Sequence, residues 1–365
     1  KKKYYVFTTA KGWTPKKSQL KYADEVEYIY CPSEDVLIEK WMRFWESDYP
    51  HINSGWNNKS FDIPYIINRL KRLKGEEFAN RISPWRVLAE KKSVGKFGQD
   101  IISYEILGIG IVDYLDLYQK YLVVGGMPES VKIFVETHSF IECRSVQQTI
   151  LNGYDSDMGK YAKPATTVKI KACWNSIPAQ LAKENKKFQY KLAKKGGTAK
   201  IFGEAINWLI LSGTVLKCKL VSHGNIPLTA YEDDSDFKIY LSDVGLLGAK
   251  AQMPIPMLLN AVETDNTFLG AVAENYVAQT LRANGIDLRY WKNDNTAELE
   301  FVIQDEMSVI PVEVKKGTKV KAISMNTFVQ EYKSPIAYRI SSKNFGFGNG
   351  IKSIPLYAAF CIEVE

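Results

Sequence analysis

Apolar positions in the first third of the chain come in short runs separated by polar turns. Tyr4-Tyr5-Val6-Phe7 reads as a strand. Ser33-Glu34-Asp35 opens a helix: Ser33 can cap it, the two carboxylates suit the positive end of the helix dipole, and Val36, Leu37, Ile38, Trp41, Phe44 and Trp45 follow as its apolar content. Ile52 to Trp56 holds a short strand ending at Gly55, Asn57-Asn58-Lys59-Ser60 is a turn, and a helix from about Asp62 places Ile63, Ile66, Ile67 and Leu70 on one face. Tyr104 to Leu115 is continuous enough in Ile, Leu and Val to predict a central strand buried on both faces of an α/β sheet.

The pattern changes after Tyr121. Gly125-Gly126-Met127-Pro128 breaks the chain, and Pro128-Glu129 start a helix through Val131, Phe134 and Val135. Helical spacing continues to about Phe188 and again over Ala199 to Leu211, where Ile201, Ala205, Leu209 and Ile210 form a stripe; Thr214 to Val221 then reads as a strand. Helices followed by a strand pair suggest a winged helix. From Asn266 the order is helix (Phe268 to Asn284), strand (Leu288 to Trp291), strand (Ala297 to Gln304), strand (Val309 to Val314), helix (about Ile323 to Tyr332), strand (Ile336 to Arg339) and strand (Ser353 to Tyr357). Gly346 to Gly350 reads as a late turn.

Composition narrows the class. The 365 residues exceed one small domain at roughly 150 residues per domain, and 45% hydrophobic with 24% charged residues describes a folded chain rather than a disordered one. The longest apolar candidate, Ile206 to Leu216, is too short for a membrane span. Cys31, Cys143, Cys173, Cys218 and Cys361 lie far apart, with no C-x-x-C pair and no histidine nearby, which points to a reducing cytoplasm rather than a disulfide framework or zinc site. The chain starts at Lys1 rather than Met, so the native N-terminus is expected upstream. A net charge of +7 permits nucleic-acid contact without requiring it. The excess is densest in Lys183 to Lys200, seven lysines against one glutamate, ending near Gly196-Gly197: a wing-like basic loop that either contacts DNA through Lys183, Lys186, Lys187, Lys191, Lys194 and Lys195 or is simply a solvated helix end.

The sharpest chemical signal is Glu298-Leu299-Glu300-Phe301 on one strand and Glu313-Val314-Lys315 on the next, with Glu274 on the preceding helix. Side chains alternate along a strand, so Glu313 and Lys315 share a face. Carboxylates on adjacent strands could hold Mg²⁺ or Mn²⁺, the metal lowering the pKa of a bound water while Lys315 orients the nucleophile or stabilises developing charge. The bland alternative is a surface ion-pair network.

This E-x-E then E-x-K spacing resembles the PD-(D/E)XK nuclease core, with Glu300 in place of the usual aspartate. A wider resemblance runs from about residue 123 to the end: Gly125-Gly126-Met127-Pro128-Glu129, Trp174 to Phe188, Tyr231-Glu232-Asp233, Lys238 to Leu247, Glu274-Asn275-Tyr276-Val277 and Ile310 to Lys315 resemble the C-terminal part of prokaryotic AAA-type ATPases that carry a restriction-endonuclease-like domain. The phosphate-binding G-x-x-x-x-G-K-[ST] of such ATPases has no match, so no ATP site is implied.

In the place of an ATPase, Ser54-Gly55-Trp56-Asn57-Asn58-Lys59-Ser60-Phe61-Asp62-Ile63-Pro64-Tyr65, Ser83-Pro84-Trp85 and Ile111 to Tyr118 resemble the 3′ to 5′ proofreading exonuclease of phage-type family B DNA polymerases over residues 4–121. The resemblance implies Asp62 as a metal-binding catalytic carboxylate, with Asn57 shaping the turn. The family's first and third acidic motifs have no match, so this segment is not expected to proofread; Asp113 and Asp116 read as capping or hydrogen-bonding residues. Trp56, Phe61 and Tyr65 could stack on single-stranded DNA, or belong to the core.

These readings predict an α/β composite: a partial ribonuclease-H-like exonuclease sheet (1–121), a helical and winged-helix-like region (122–262), and a restriction-endonuclease-like, PD-(D/E)XK nuclease-like domain (263–365). Such a junction is a natural fusion, a deliberate chimera, or two genes joined in assembly, with an exposed sheet edge as the expected cost. The expected function is DNA association with metal-dependent nuclease chemistry by Glu274, Glu300, Glu313 and Lys315. The alternative is a catalytically silent module that binds DNA or a protein partner.

Overall fold

The computed structural model describes residues 3–12, 25–94, 100–293, 297–317 and 323–363. The chain divides into two compact units, Lys1–Leu115 and Asp116–Glu365.

In the first unit Lys3–Thr8 (β1) and Glu25–Tyr30 (β2) pair in parallel. Glu34–Ser47 forms α1, and Ser33 caps it, its hydroxyl oxygen accepting the Val36 N–H at 3.3 Å. β3 (Ile52–Gly55) leads through a π-helical turn, Asn58–Asp62, into α2 (Ile63–Lys74) and α3 (Glu76–Asn80). β4 (Leu88–Val94) pairs antiparallel with β5 (Asp100–Ile106), while β6 (Gly110–Asp113) runs parallel to β3. The core gathers Ile38 and Met42 of α1, Ile63, Ile67 and Leu70 of α2, and Tyr104 and Ile106 of β5. Each fully buried aliphatic side chain contributes about 1.5–3 kcal/mol. Outside that core the two long helices are laced by charge: Glu34 with Arg69, and Asp35 and Glu39 with Lys74 at 2.5 and 2.7 Å.

The apolar run from Tyr104 to Leu115 is not the single central strand predicted. The chain turns at Gly108, whose φ is +90° and where a Cβ would lie 2.5 Å from Pro84 Cγ. The two halves of the run therefore enter different ladders. Instead of one partial sheet the unit has three two-stranded ladders, β1–β2, β3–β6 and β4–β5, with open edges among the described residues.

The helix α4 (Tyr114–Val124) begins at the end of the first unit. The second unit continues with α5 (Pro128–Thr137), α6 (Phe140–Tyr161), α7 (Pro164–Leu181), α8 (Tyr190–Ala193) and α9 (Ala199–Leu211). β7 (Val215–Val221) and β8 (Glu232–Leu241) form an antiparallel pair, followed by α10 (Val244–Lys250), α11 (Ile255–Leu259) and α12 (Phe268–Ala283). The remaining elements are β9 (Arg289–Lys292), β10 (Glu298–Leu299), β11 (Phe301–Asp305), β12 (Ser308–Val314), α13 (Ile323–Tyr332), β13 (Ala337–Ser341), β14 (Gly346–Gly348) and β15 (Ile351–Pro355). One sheet has the order β10-β9-β7-β8, β7 and β9 being parallel; the other has the order β11-β12-β13-β15-β14, with a parallel β12-β13-β15 centre and antiparallel edges.

Three expectations change here. The lysine-rich stretch is not a hairpin wing: it lies between α7 and α9, with the single turn of α8 inside it. The buried stripe of α9 is Phe202, Ala205, Ile206 and Leu209, leaving Ile201 exposed. Gly346 to Gly348 is an edge strand, not only a turn. Among the described residues no helix is long and apolar enough to cross a membrane.

Candidate functional site

The acids singled out in the C-terminal part come together, each with a cation. The step between β10 and β11 presents Glu300, β12 presents buried Glu313, and Lys315 follows directly after β12. Lys315 Nζ lies 2.7 Å from Glu300 Oε1 and 3.9 Å from Glu313 Oε1, while Glu300 Oε2 accepts the Val314 N–H at 3.2 Å. Arg339, paired in register with Glu313 across the parallel β12–β13 ladder, donates Nε–H to Glu313 Oε2 at 3.2 Å. On α12, buried Glu274 takes Lys186 on one carboxylate oxygen and the Tyr240 hydroxyl on the other at 3.4 Å. Glu298 binds Lys238 at 2.5 Å, whose ammonium also stands 4.5 Å over the Tyr290 ring.

Four carboxylates thus face four cations one to one, and the formal charge of the group is zero. Burial pushes the Glu313 carboxyl above its ordinary range; Lys315 and Arg339 pull it down and Glu300 pushes it up. For Lys315 burial pulls the ammonium down, but the carboxylates of Glu300, Glu313 and Glu274 outweigh it and hold the lysine above its usual value. Lys238 follows the same logic: burial is overcome by Glu298 and Glu274.

A divalent magnesium or manganese ion needs several oxygen ligands with free lone pairs converging on one point. Here the carboxylates are already committed to protein cations. Among the described residues no group of three or more His, Cys, Asp or Glu could hold a metal ion, so none of the predicted ligands, Glu300, Glu313 and Asp62, belongs to one. The arrangement does not fit the metal, and no chemistry is routed through it. Sequence reading missed Arg339 and Lys238. Arg339 ends a predicted strand beside that of Glu313, so in-register pairing could have flagged it; Lys238 carries no local signal.

In the first unit Asp62 closes the π-helical turn at the start of α2. It is half-buried, and burial together with the Asp113 charge raises its carboxyl above the usual range. Asp113 is spent on the backbone: Oδ1 accepts the N–H of Asn57 at 3.2 Å and of Leu115 at 2.9 Å, and Oδ2 that of Lys59 at 2.8 Å. Asn57 takes the left-handed conformation that shapes the turn, at φ +58°. Asn58, buried, donates to Asn53 Oδ1 at 2.6 Å. Asp116 pairs with Lys120 at 3.0 Å.

Phe61 and Tyr65 are not core residues. They are 63% and 62% exposed, their rings nearly parallel at 12° and 6.3 Å apart, on either side of Asp62 in sequence. Trp56 is half-buried. The basic run separates in the same way: Lys183, Lys191, Lys194 and Lys195 are exposed, whereas Lys186 turns onto Glu274 and Lys187 pairs with Asp236.

Residues 1–125 match the family described as "DNA polymerase family B, exonuclease domain". Residues 115–255 match "Domain of unknown function (DUF8612)" and residues 269–359 "Domain of unknown function (DUF4143)". The chain is 39% identical over 99 residues to the DNA-directed DNA polymerase of Escherichia phage RB69, covering 27% of this chain and 11% of that protein. It is 39% identical over 98 residues to that of Enterobacteria phage T4 (27% and 11%) and 30% identical over 95 residues to the DNA polymerase delta catalytic subunit of Caenorhabditis elegans (26% and 8%). The chain thus spans 11% or less of the length of these relatives.

Proposed function

We propose that the chain binds single-stranded DNA and does not cut it. The observation that carries this reading is the exposed Phe61–Tyr65 stack flanking Asp62, within a segment of exonuclease type. Every base offers a π face, and stacking on an aromatic side chain is worth about 1–3 kcal/mol per base regardless of sequence. In the second unit the exposed lysines Lys183, Lys191, Lys194 and Lys195 offer phosphate contacts of their own that weaken with salt. Cleavage by a two-metal route needs several converging carboxylates. Among the described residues Asp62 belongs to no group of three or more such ligands, and the oxygens of the neighbouring Asp113 are taken by backbone amides. In the C-terminal part the balanced ion pairs favour the silent, PD-(D/E)XK-like binding module over the nuclease.

The test is fluorescence anisotropy of labelled oligothymidine with the full chain, in EDTA and in Mn²⁺, beside Phe61→Ala/Tyr65→Ala. Affinity should fall about tenfold or more in the double variant. Absence of binding by the unaltered chain, or equal binding by the variant, overturns the reading. A second reading, cutting by the C-terminal acids, has in its favour the convergence of buried Glu313 and Glu300 on Lys315. Cleavage of single-stranded, duplex or branched DNA that disappears in Glu313→Ala and persists in Asp62→Ala would establish it instead.

A further inference from the structure

Between Glu331 and Glu363 the chain holds Lys333, Arg339, Lys343 and Lys352 and no acidic residue. Within this stretch β14 is the outer strand of the five-stranded sheet, and every residue from Lys343 to Asn349 is exposed. Phe345 and Phe347 are among them, at 55% and 70%. The ladder register sets Phe347 opposite Lys352 of β15 and Lys352 opposite Tyr338 of β13, so these three side chains form one row on one face of the sheet. The Lys352 ammonium stands 5.5 Å from the centre of the Tyr338 ring, and the Phe345 ring meets Tyr357 edge-on at 6.2 Å. Glu313 and Arg339, paired in the next row, belong to the opposite face. Neither Lys343 nor Lys352 forms an ion pair among the described residues. Gly346 and Gly348 flank Phe347 although the fold does not demand glycine there: neither has a positive φ, and a Cβ on either would meet nothing closer than 3.9 Å. Glycine inside a strand weakens it and marks places where a ligand comes close to the backbone.

We propose that the β14 edge is a second contact surface for single-stranded DNA, with bases stacked on Phe345 and Phe347 and phosphates held by Lys343 and Lys352. Exposed rings on a sheet take the flat faces of unpaired bases, and cations without acidic partners take the backbone that links them. Two residues of chain put the Cα atoms of Phe345 and Phe347 at most about 7 Å apart, so neighbouring bases of one strand reach both rings. The same charges speak against a second copy of this chain as the occupant: pairing β14 with its twin would bring Lys343 and Lys352 of both copies together. The surface lies wholly in the second unit and shares no residue with the Phe61–Tyr65 stack, so it stands or falls apart from that reading.

The test uses the full chain carrying Phe61→Ala/Tyr65→Ala, which removes the first stack, and reads anisotropy of labelled oligothymidine in EDTA. Binding should remain. Adding Phe345→Ala/Phe347→Ala should weaken it about tenfold or more, whereas Phe347→Trp should keep it. Lys343→Gln/Lys352→Gln should lower the slope of log affinity against log salt by about 1.4, two phosphates at about 0.7 each. Circular dichroism checks that each variant is folded. No binding left in the Phe61→Ala/Tyr65→Ala chain, or binding that the Phe345 and Phe347 substitutions leave unchanged, overturns the proposal. So does a dimer, seen by light scattering without DNA, that Phe345→Ala/Phe347→Ala dissolves, since the edge would then belong to a second copy.

Discussion

Asp243 Oδ2 accepts the Gly126 N–H at 2.7 Å while its Oδ1 accepts the Leu246 N–H at 2.8 Å, so one buried carboxylate joins the double-glycine turn to the first turn of α10. The turn needs glycine for two reasons. Gly125 sits at φ +71°, and a Cβ there would be 2.3 Å from Asp243 Oδ1. Gly125→Ala should therefore destabilise the chain by at least about 2 kcal/mol, the left-handed strain adding to the loss of the carboxylate contact. Urea denaturation would register it as a lower midpoint with unchanged slope.

Lys238 is 1% exposed and stays charged because Glu298 and Glu274 outweigh the cost of burial. Lys238→Ala should cost about 3 kcal/mol, since it leaves Glu298 without its cation. Lys238→Met combined with Glu298→Gln should lie within about 1 kcal/mol of the unaltered chain, because an ion pair taken from water and a neutral pair of similar volume are nearly equivalent. A double-mutant cycle by chemical denaturation measures the coupling.

Glu46 carries the clearest acid-side pH signature in the first unit. The Arg81 guanidinium holds its carboxyl below the usual range, burial opposes this, and Arg86 assists. A carboxyl whose folded pKa is depressed gives stability that is present above its ordinary value and lost as pH falls through the folded value. Glu46→Gln should cost about 1 kcal/mol at pH 7 and next to nothing at strongly acidic pH, in paired urea titrations.

Phe61 and Tyr65 separate binding from folding. Because both rings face solvent, Phe61→Leu and Tyr65→Leu should each shift stability by less than about 0.5 kcal/mol. Each should still weaken oligothymidine binding by about 1–3 kcal/mol. Thermal melts and anisotropy on the same preparations compare the two.

Much of the C-terminal part could be read from sequence because each apolar run there is short and ends at a polar turn; the helix Phe268–Ala283 and the strand carrying Glu313 lie within a few residues of where the pattern puts them, whereas the strand expected over Ala297 to Gln304 breaks at Glu300 into β10 and β11, which join different sheets. The Tyr104–Leu115 run misled because its turn depends on one glycine, Gly108, whose positive φ and lack of room for a Cβ beside Pro84 no local pattern records. The candidate site was half legible. Glu313 and Lys315 are two residues apart, but their neutralising environment comes from afar: Lys186 is 88 residues from Glu274, Lys238 is 60 from Glu298, and Arg339 is 26 from Glu313. Period-two alternation finds the acids and cannot find their counter-ions.

Asp113 also defines where the first unit can be cut. Its carboxylate grips two amides of the turn before Asp62 and the amide of Leu115, the last residue of that unit. The turn and the start of the outgoing helix therefore share one fastening. Removing the chain from Asp113 onward would undo both, so an excised segment that keeps the Asp62 turn in shape must carry Asp113 with it.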